Sequence, residues 1–311
     1  MKILNGPTCV AKVDDVCGEG AVWHAPESVL YWTDINRFLI HRYDPRSREV
    51  ETWEFAEPVT AVNMTTRDDT LAIVLGSRVI LWEPRTGREF STSFRLRGWP
   101  HVRLNDARPD PRGSLWVGSM RNNVNPDKTT RSTGGADGVL YRLDPDGAIS
   151  EWKSNIGISN TVAWSPDQTR FYFGDSLANS VRCYDYNAID GSIGGERPFL
   201  EGFARGVPDG STVDADGYLW NCRFYGGCIV RVAPEGTIDA VIDFPVSNLT
   251  TCTFGGEDMT TLYVTSASAE SQGEELAGSL FAIETDICGQ PENRFAIPER
   301  AVQFPRDKPM E

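Results

Sequence analysis

One alternation of polar and apolar residues returns six times along the chain: a turn rich in Asp, Pro and Gly, then a short run with an aromatic or aliphatic centre. It reads HAPESVLYWTD, TTRDDTLAIVL, DPRGSLWVGSM, SPDQTRFYFGD, DADGYLWNCRF and GGEDMTTLYVTS, and the first core residues are Leu30, Leu71, Leu115, Phe171, Leu219 and Leu262. A second alternating segment follows each run, from FLIHRYDPRSR in the first repeat to GSLFAIETDICG in the last, and a third precedes it, as in GAVWHAP and TVAWSPD. Period-two alternation bounded by turn residues predicts strands. Three or four short strands recurring every 40 to 55 residues or so predict an all-β, six-bladed β-propeller with four-stranded antiparallel blades. Six repeats in register weigh against a two-sheet sandwich. The expected organisation is a single propeller domain over residues 1–311, with the strand Thr8 to Val13 completing the last blade. The longest insertion, RNNVNPDKTTRSTGGAD at 121–137, is too polar to pack and is expected to be a lid or rim loop. A second polar stretch spans 266–278, and the C-terminal tail covers about 298–311.

The same pattern isolates four polar residues. Glu19, Asn105, Asn160 and Asp209 open apolar runs in GEG, LND, SNT and PDG, although strands disfavour these residue types. Counting back ten or eleven positions from each first core residue lands on Glu19, Thr60, Asn105, Asn160, Asp209 and Thr251. Inner strands of a propeller line its central channel, so these six side chains are expected to crowd one end of it. Two carboxylates facing amides across a channel repel unless a cation or a shared proton neutralises them. Oxygen donors without Cys or His suit a hard divalent ion, Ca²⁺, Mg²⁺ or Mn²⁺, and water-filled open positions would also accept Zn²⁺ or Fe²⁺. Turn shaping before a strand is the competing use of Asn and Asp. It fits SNT and PDG, but not GEG.

Composition narrows the partners. A formal net charge of −14 argues against nucleic acid and against an anionic membrane surface. Seven scattered cysteines, with no CxxC pair and no zinc spacing, suit a reducing compartment, and the opening MKILNGPTCVAKVDD lacks a signal-peptide pattern. A cytoplasmic protein is expected, monomeric or weakly homo-oligomeric. DPDG at Asp144 and DADG at Asp214 lack the closing Glu of a calcium loop and read as hairpin turns. His24, His41 and His101 have no metal spacing. Arg103 lies two residues before Asn105, hence on the same face of a strand, where its fork can hold a polar substrate or form a surface ion pair.

The motifs GEGAVWH, RLNDARPDPRGSLWVGSM, ISNTVAWSPDQTRFYFGDS, VPDGSTVDADGYLWNC and TTCTFGGEDMTTLYVTSA occur in order from about Cys17 to Ala282. Together they resemble the gluconolactonase, regucalcin (senescence marker protein) and luciferin-regenerating enzyme family of sugar lactonases. The resemblance implies a six-bladed propeller with one divalent metal at the channel mouth. It implies metal ligands at Glu19, Asn160 and Asp209, a general base at Asp209, and a substrate-binding pair at Arg103 and Asn105. Some members carry an acidic substrate contact where this chain reads RNNVN, so Asn123 is expected to meet the substrate with an amide instead.

The implied activity is metal-dependent hydrolysis of aldonolactones to aldonic acids in carbohydrate catabolism. The metal would polarise the carbonyl while Asp209 takes a proton from the attacking water. The alternatives are an ester or organophosphate hydrolase on the same metal site, or a non-catalytic calcium-binding propeller.

Overall fold

In the structure, a computed structural model, residues 2–271 and 273–297 are described. Six four-stranded antiparallel sheets follow one another in sequence. The first is built from β2 (Gly18–His24), β3 (Val29–Asp34), β4 (Leu39–Asp44) and β5 (Glu49–Glu54). The inner strands of the next five blades are β6 (Val59–Met64), β10 (Val102–Pro109), β14 (Ser159–Trp164), β18 (Val207–Val213) and β22 (Leu249–Gly255). The last blade is closed by the N-terminal strand: β1 (Ile3–Lys12) pairs antiparallel with β24 (Ser279–Thr285). The expected Thr8–Val13 strand is therefore present and starts earlier. The 298–311 tail lies outside the described residues.

Burial explains the order of strands within a blade. Every residue of β2 is buried, whereas β5, EVETWE, is exposed or half-buried throughout. Apolar side chains from neighbouring blades meet in separate clusters rather than in one central core. One unites Val62, Met64 and Ile73 of the second blade with Val22, Val29 and Tyr31 of the first. Another unites Trp116 and Leu140 of the third with Trp164, Phe171 and Phe173 of the fourth. Each blade is thus glued to the next, and the axis is left to polar groups.

The recurring DxxGxLW phrase has a physical reason. Asp110 receives the indole N–H of Trp116 at 3.0 Å, and Asp214 receives that of Trp220 at 2.9 Å. The Asp110 and Asp214 carboxylates also cap their hairpin turns through backbone N–H groups, and Asp144 closes its turn through its own backbone N–H and carbonyl, so Asp144 and Asp214 are turn residues, as expected. A buried indole needs this partner, because an unpaired N–H in an apolar setting is costly.

Residues 286–297 carry no repeat pattern, and they cross the far end of the channel. Gly289 bridges to Asp214, Gln290 donates to the Trp164 carbonyl at 2.8 Å, and Phe295 bridges to Thr65. At the axis Glu292 pairs with the buried Arg108 at 3.2 Å and accepts the Thr253 hydroxyl at 2.7 Å. The channel is therefore floored by this strap and open at the opposite mouth.

Candidate active site

All six inner strands break register at the same place. The pairing skips between Glu19 and Val22, Val59 and Ala61, Leu104 and Ala107, Asn160 and Ala163, Pro208 and Ser211, and Leu249 and Cys252. A bulge re-aims the side chains beside it. Counted from these paired positions, the equivalent residues are Glu19, Thr60, Asn105, Asn160, Asp209 and Thr250. Thr250 replaces the expected Thr251, because the turn between β22 and β23 (Thr261–Ser266) makes the last hairpin one residue longer than a fixed count allows. Asn160 and Asp209 lie inside strands, so turn shaping is not their use.

The bulges impose backbone demands. Gly20 follows Glu19 with φ of 61°, and a Cβ there would stand 2.9 Å from the Ala61 Cα of the next blade. Only glycine takes both the left-handed conformation and the close approach. Thr161 follows Asn160 with φ of 55°, unusual for a β-branched residue. Its hydroxyl donates to the Asp209 carbonyl at 2.6 Å and meets Ser211 Oγ at 2.9 Å. Asn221, fully buried on β19 (Leu219–Phe224), donates to the same carbonyl at 3.2 Å and to Ser211 at 2.9 Å.

Glu19, Asn105, Asn160 and Asp209 are all buried and line one cavity of about 190 Å³. Arg103 and Asn123 line it too. The six expected site residues are therefore brought together. Arg103 Nη1 donates to Asn105 Oδ1 at 2.5 Å, and its Nε and Nη2 grip Asn123 Oδ1 at 3.0 and 2.8 Å. Asn105 Nδ2 then donates to the Ser159 carbonyl at 2.7 Å and to Asn160 Oδ1 at 3.1 Å. Asn160 in turn donates to Ser176 Oγ at 2.8 Å, and Ser176 to the Pro208 carbonyl at 2.6 Å. This chain fixes the amide of Asn160 with its oxygen towards the site.

The carboxylates are poised against ionisation. Burial lifts Glu19 from its ordinary 4.5 to about 7, with the nearby Asp106 charge adding to the rise and the Gly20 N–H, 2.8 Å away, opposing it. Burial and then the Glu19 charge hold Asp209 well above the usual carboxylate range. Burial also lowers Arg103 to about 10, against the pull of Cys17, Glu19 and Asp209. Two buried acids, one of them held protonated by the charge of the other, form the electrostatic setting that a cation relieves.

Among the described residues no three of His, Cys, Asp and Glu cluster closely enough to hold a cation. A cation would take its third protein donor from the Asn160 amide. The donors fit a hard ion: all three are oxygens, all are buried, and among the described residues no basic side chain hydrogen-bonds either carboxylate.

The wall beyond the polar set is apolar, formed by Ile35, Met120, Ile158, Leu177, Val207 and Phe224. The insertion after β11 (Leu115–Arg121) reaches the cavity through Asn123 and Thr133 and leans on the first blade, where Asn36 meets Thr130 at 3.1 Å and Lys128 meets Glu54 at 2.6 Å. A larger groove of about 400 Å³ lies between the first two blades. Its charges already pair with one another, Arg42 with Glu51 at 2.9 Å and with Glu27 at 3.4 Å, so it offers no comparable chemistry. Sequence reading missed Ser176, Thr161 and Asn221, which are small polar residues without a distinguishing pattern.

Fold and site together define a six-bladed propeller with a buried set of carboxylate and amide oxygens at one channel mouth. The chain belongs to the SMP-30/gluconolactonase/LRE-like family, whose profile matches residues 17–268. It is 34% identical over 299 residues to the pentonolactonase of Haloferax volcanii, covering 92% of this chain and 98% of that one. It is 33% identical over 296 residues to the 6-deoxy-6-sulfogluconolactonase of Pseudomonas putida, covering 93% and 98%. Among solved structures, the calcium-binding protein regucalcin of Agrobacterium tumefaciens superposes with a TM-score of 0.84 at 25% identity, over 94% of this chain and 97% of that one.

Proposed function

We propose that this protein hydrolyses sugar lactones to the free aldonic acids with the help of one divalent cation held by Glu19, Asn160 and Asp209. The observation that carries the reading is the convergence of these three oxygen donors with Arg103, Asn105 and Asn123 around one cavity. Membership of a family that includes a pentonolactonase and a sulfogluconolactonase supports it.

A divalent cation bound there supplies Lewis acidity to the lactone carbonyl and charge for the developing oxyanion. The chain's own residues do the rest. Asp209 takes the proton of the attacking water; a carboxylate bound to a cation is a modest base, so its positioning supplies much of the rate. Its backbone is held by Thr161 and Asn221, so the carboxylate is placed before substrate arrives. Arg103 donates to a hydroxyl oxygen of the sugar and Asn105 Oδ1 accepts from a hydroxyl, with Asn123 fixing the guanidinium plane. The 122–137 loop limits solvent access from the first-blade side.

The test is acid release from a panel of glucono-, xylono- and arabinono-lactones, with a phosphotriester and a simple aryl ester alongside. Hydrolysis of lactones that stops on chelation supports the reading. Turnover confined to the phosphotriester or ester gives the site a different bond, and cation binding without any turnover makes the protein a non-catalytic propeller.

A further inference from the structure

We propose that the lactone taken by this site carries an apolar substituent, an alkyl chain or an aryl group, which lies against Leu177, Phe224 and Tyr225 at the cavity mouth; this rests on the lactonase reading and names its substrate class. The cavity has two unlike halves. The third blade supplies Arg103, Asn105 and, from its insertion, Asn123 and Thr133, all of them polar. The fourth and fifth blades supply, besides Asn160, Ser176 and Asp209, the apolar side chains of Ile158, Leu177, Val207, Phe224 and Tyr225. Leu177 is 49% exposed and Tyr225 56%, and among the described residues they are the two exposed large hydrophobic side chains that line this cavity.

The apolar rim is fixed in place by specific contacts. β15 (Arg170–Asp175) ends in Asp175, whose Oδ1 accepts the Leu177 N–H at 3.0 Å and the Ile158 N–H at 3.1 Å. Gly157 makes room for the leucine: a Cβ there would stand 2.7 Å from the Leu177 Cβ. Tyr225 takes a φ of 63°, a conformation that bulky side chains avoid. It is held at both ends, because the buried Asn248 accepts its N–H at 3.1 Å and its hydroxyl donates to Glu270. Its ring stands edge-on to Phe224, with 4.6 Å between centroids. A strained backbone kept by its surroundings points to a use for the side chain it presents.

Outside Asn160 and Asp209, this half has no side-chain donor to spare among the described residues. Ser176 spends its hydrogen on the Pro208 carbonyl, and Tyr225 spends its own on Glu270. A sugar hydroxyl over these side chains would give up water for no partner. A methylene or an aryl ring gains by leaving water at the same place. The reaction leaves that substituent untouched. Water adds to the ring carbonyl, the ring C–O bond breaks, and the departing oxygen takes the proton that Asp209 removed from the water, giving the hydroxy acid.

The experiment measures hydrolysis of D-gluconolactone, γ-valerolactone and γ-octalactone, the last two differing only in a methyl or a butyl substituent. A fully buried methylene is worth about fourfold and one on a half-exposed rim less, so γ-octalactone is expected to show a kcat/KM about tenfold above that of γ-valerolactone. Replacing both rim residues, Leu177→Asn with Tyr225→Asn, introduces a side chain that tolerates the left-handed backbone and should bring that ratio close to one, whatever it does to each rate. Calorimetric titration with the two products, 4-hydroxyoctanoate and 4-hydroxypentanoate, needs no turnover and should favour the longer acid in wild type alone. Equal rates for the two alkyl lactones, or a ratio indifferent to the double substitution, overturn the apolar subsite and leave the lactonase reading standing if D-gluconolactone is hydrolysed. If no lactone is hydrolysed the lactonase reading fails, and the titration then decides the subsite by itself: tighter binding of the longer acid keeps it, and equal binding removes it.

Discussion

Removing the cation should make the protein lose stability as pH rises, and the structure sets the size of the loss. Burial lifts the folded-state pKa of Glu19 from 4.5 to about 7. A carboxyl raised on folding binds its proton more tightly in the native state, so ionising it favours unfolding. The contribution is fully present below pH 4.5 and is lost as pH climbs through 7. At 1.36 kcal/mol per pH unit the loss is about 3 kcal/mol. Asp209, which burial and the Glu19 charge also raise, acts in the same direction. With an unfolding entropy of roughly 2.1 cal/mol/K per residue, 3 kcal/mol in a chain of 311 residues is a Tm shift of about 5 °C. Calorimetry of the chelated protein at pH 5 and pH 8 should show that fall. Saturating calcium should reverse it, because ligands must lose protons to bind a cation. His24, whose pKa burial lowers, works in the opposite direction and makes the loaded protein and Glu19→Gln the proper references. Glu19→Gln should flatten the dependence of the chelated protein. Equal Tm at the two pH values, in wild type and Glu19→Gln alike, would refute the electrostatic reasoning.

Three further expectations follow from single contacts. Thr161→Val keeps the side-chain shape but removes the hydroxyl that holds the Asp209 carbonyl, so it should lower kcat and weaken cation affinity, with a stability loss of about 1–3 kcal/mol; Thr161→Ser should restore both properties in the same titration. Asp214→Ala strips the Trp220 indole of its acceptor and leaves the buried Arg231 with Asp239 alone, and should cost about 3–5 kcal/mol in chemical denaturation, with kcat/KM per folded molecule unchanged. Glu292→Ala should destabilise by a similar amount, about 3–5 kcal/mol by the same assay, by leaving Arg108 unpaired at the channel floor.

The propeller was legible because its signal is repeated: six runs with a turn, a strand and a core residue fix the period and the blade number. Counting back along the inner strands found Glu19, Thr60, Asn105, Asn160 and Asp209, because five hairpins differ by no more than one residue. It failed at Thr250, where the sixth turn is longer and nothing in GGEDMTT announces the extra residue. The strap at 286–297 carries no alternation and was invisible for that reason. The layer behind the site was hidden differently. Ser176, Thr161 and Asn221 act through hydrogen bonds between residues 10 to 60 positions apart, and small polar residues in strands look alike until the sheets are assembled. Roles within the site came from family resemblance and the geometry of the cavity, not from periodicity.

The most direct test of the central claim is acid release from a sugar lactone by wild type and Asp209→Ala, each measured with and without chelator. The account predicts turnover by the cation-loaded wild type, loss on chelation, recovery when a divalent ion is returned, and none above background for Asp209→Ala. Activity that survives both chelation and Asp209→Ala would contradict it.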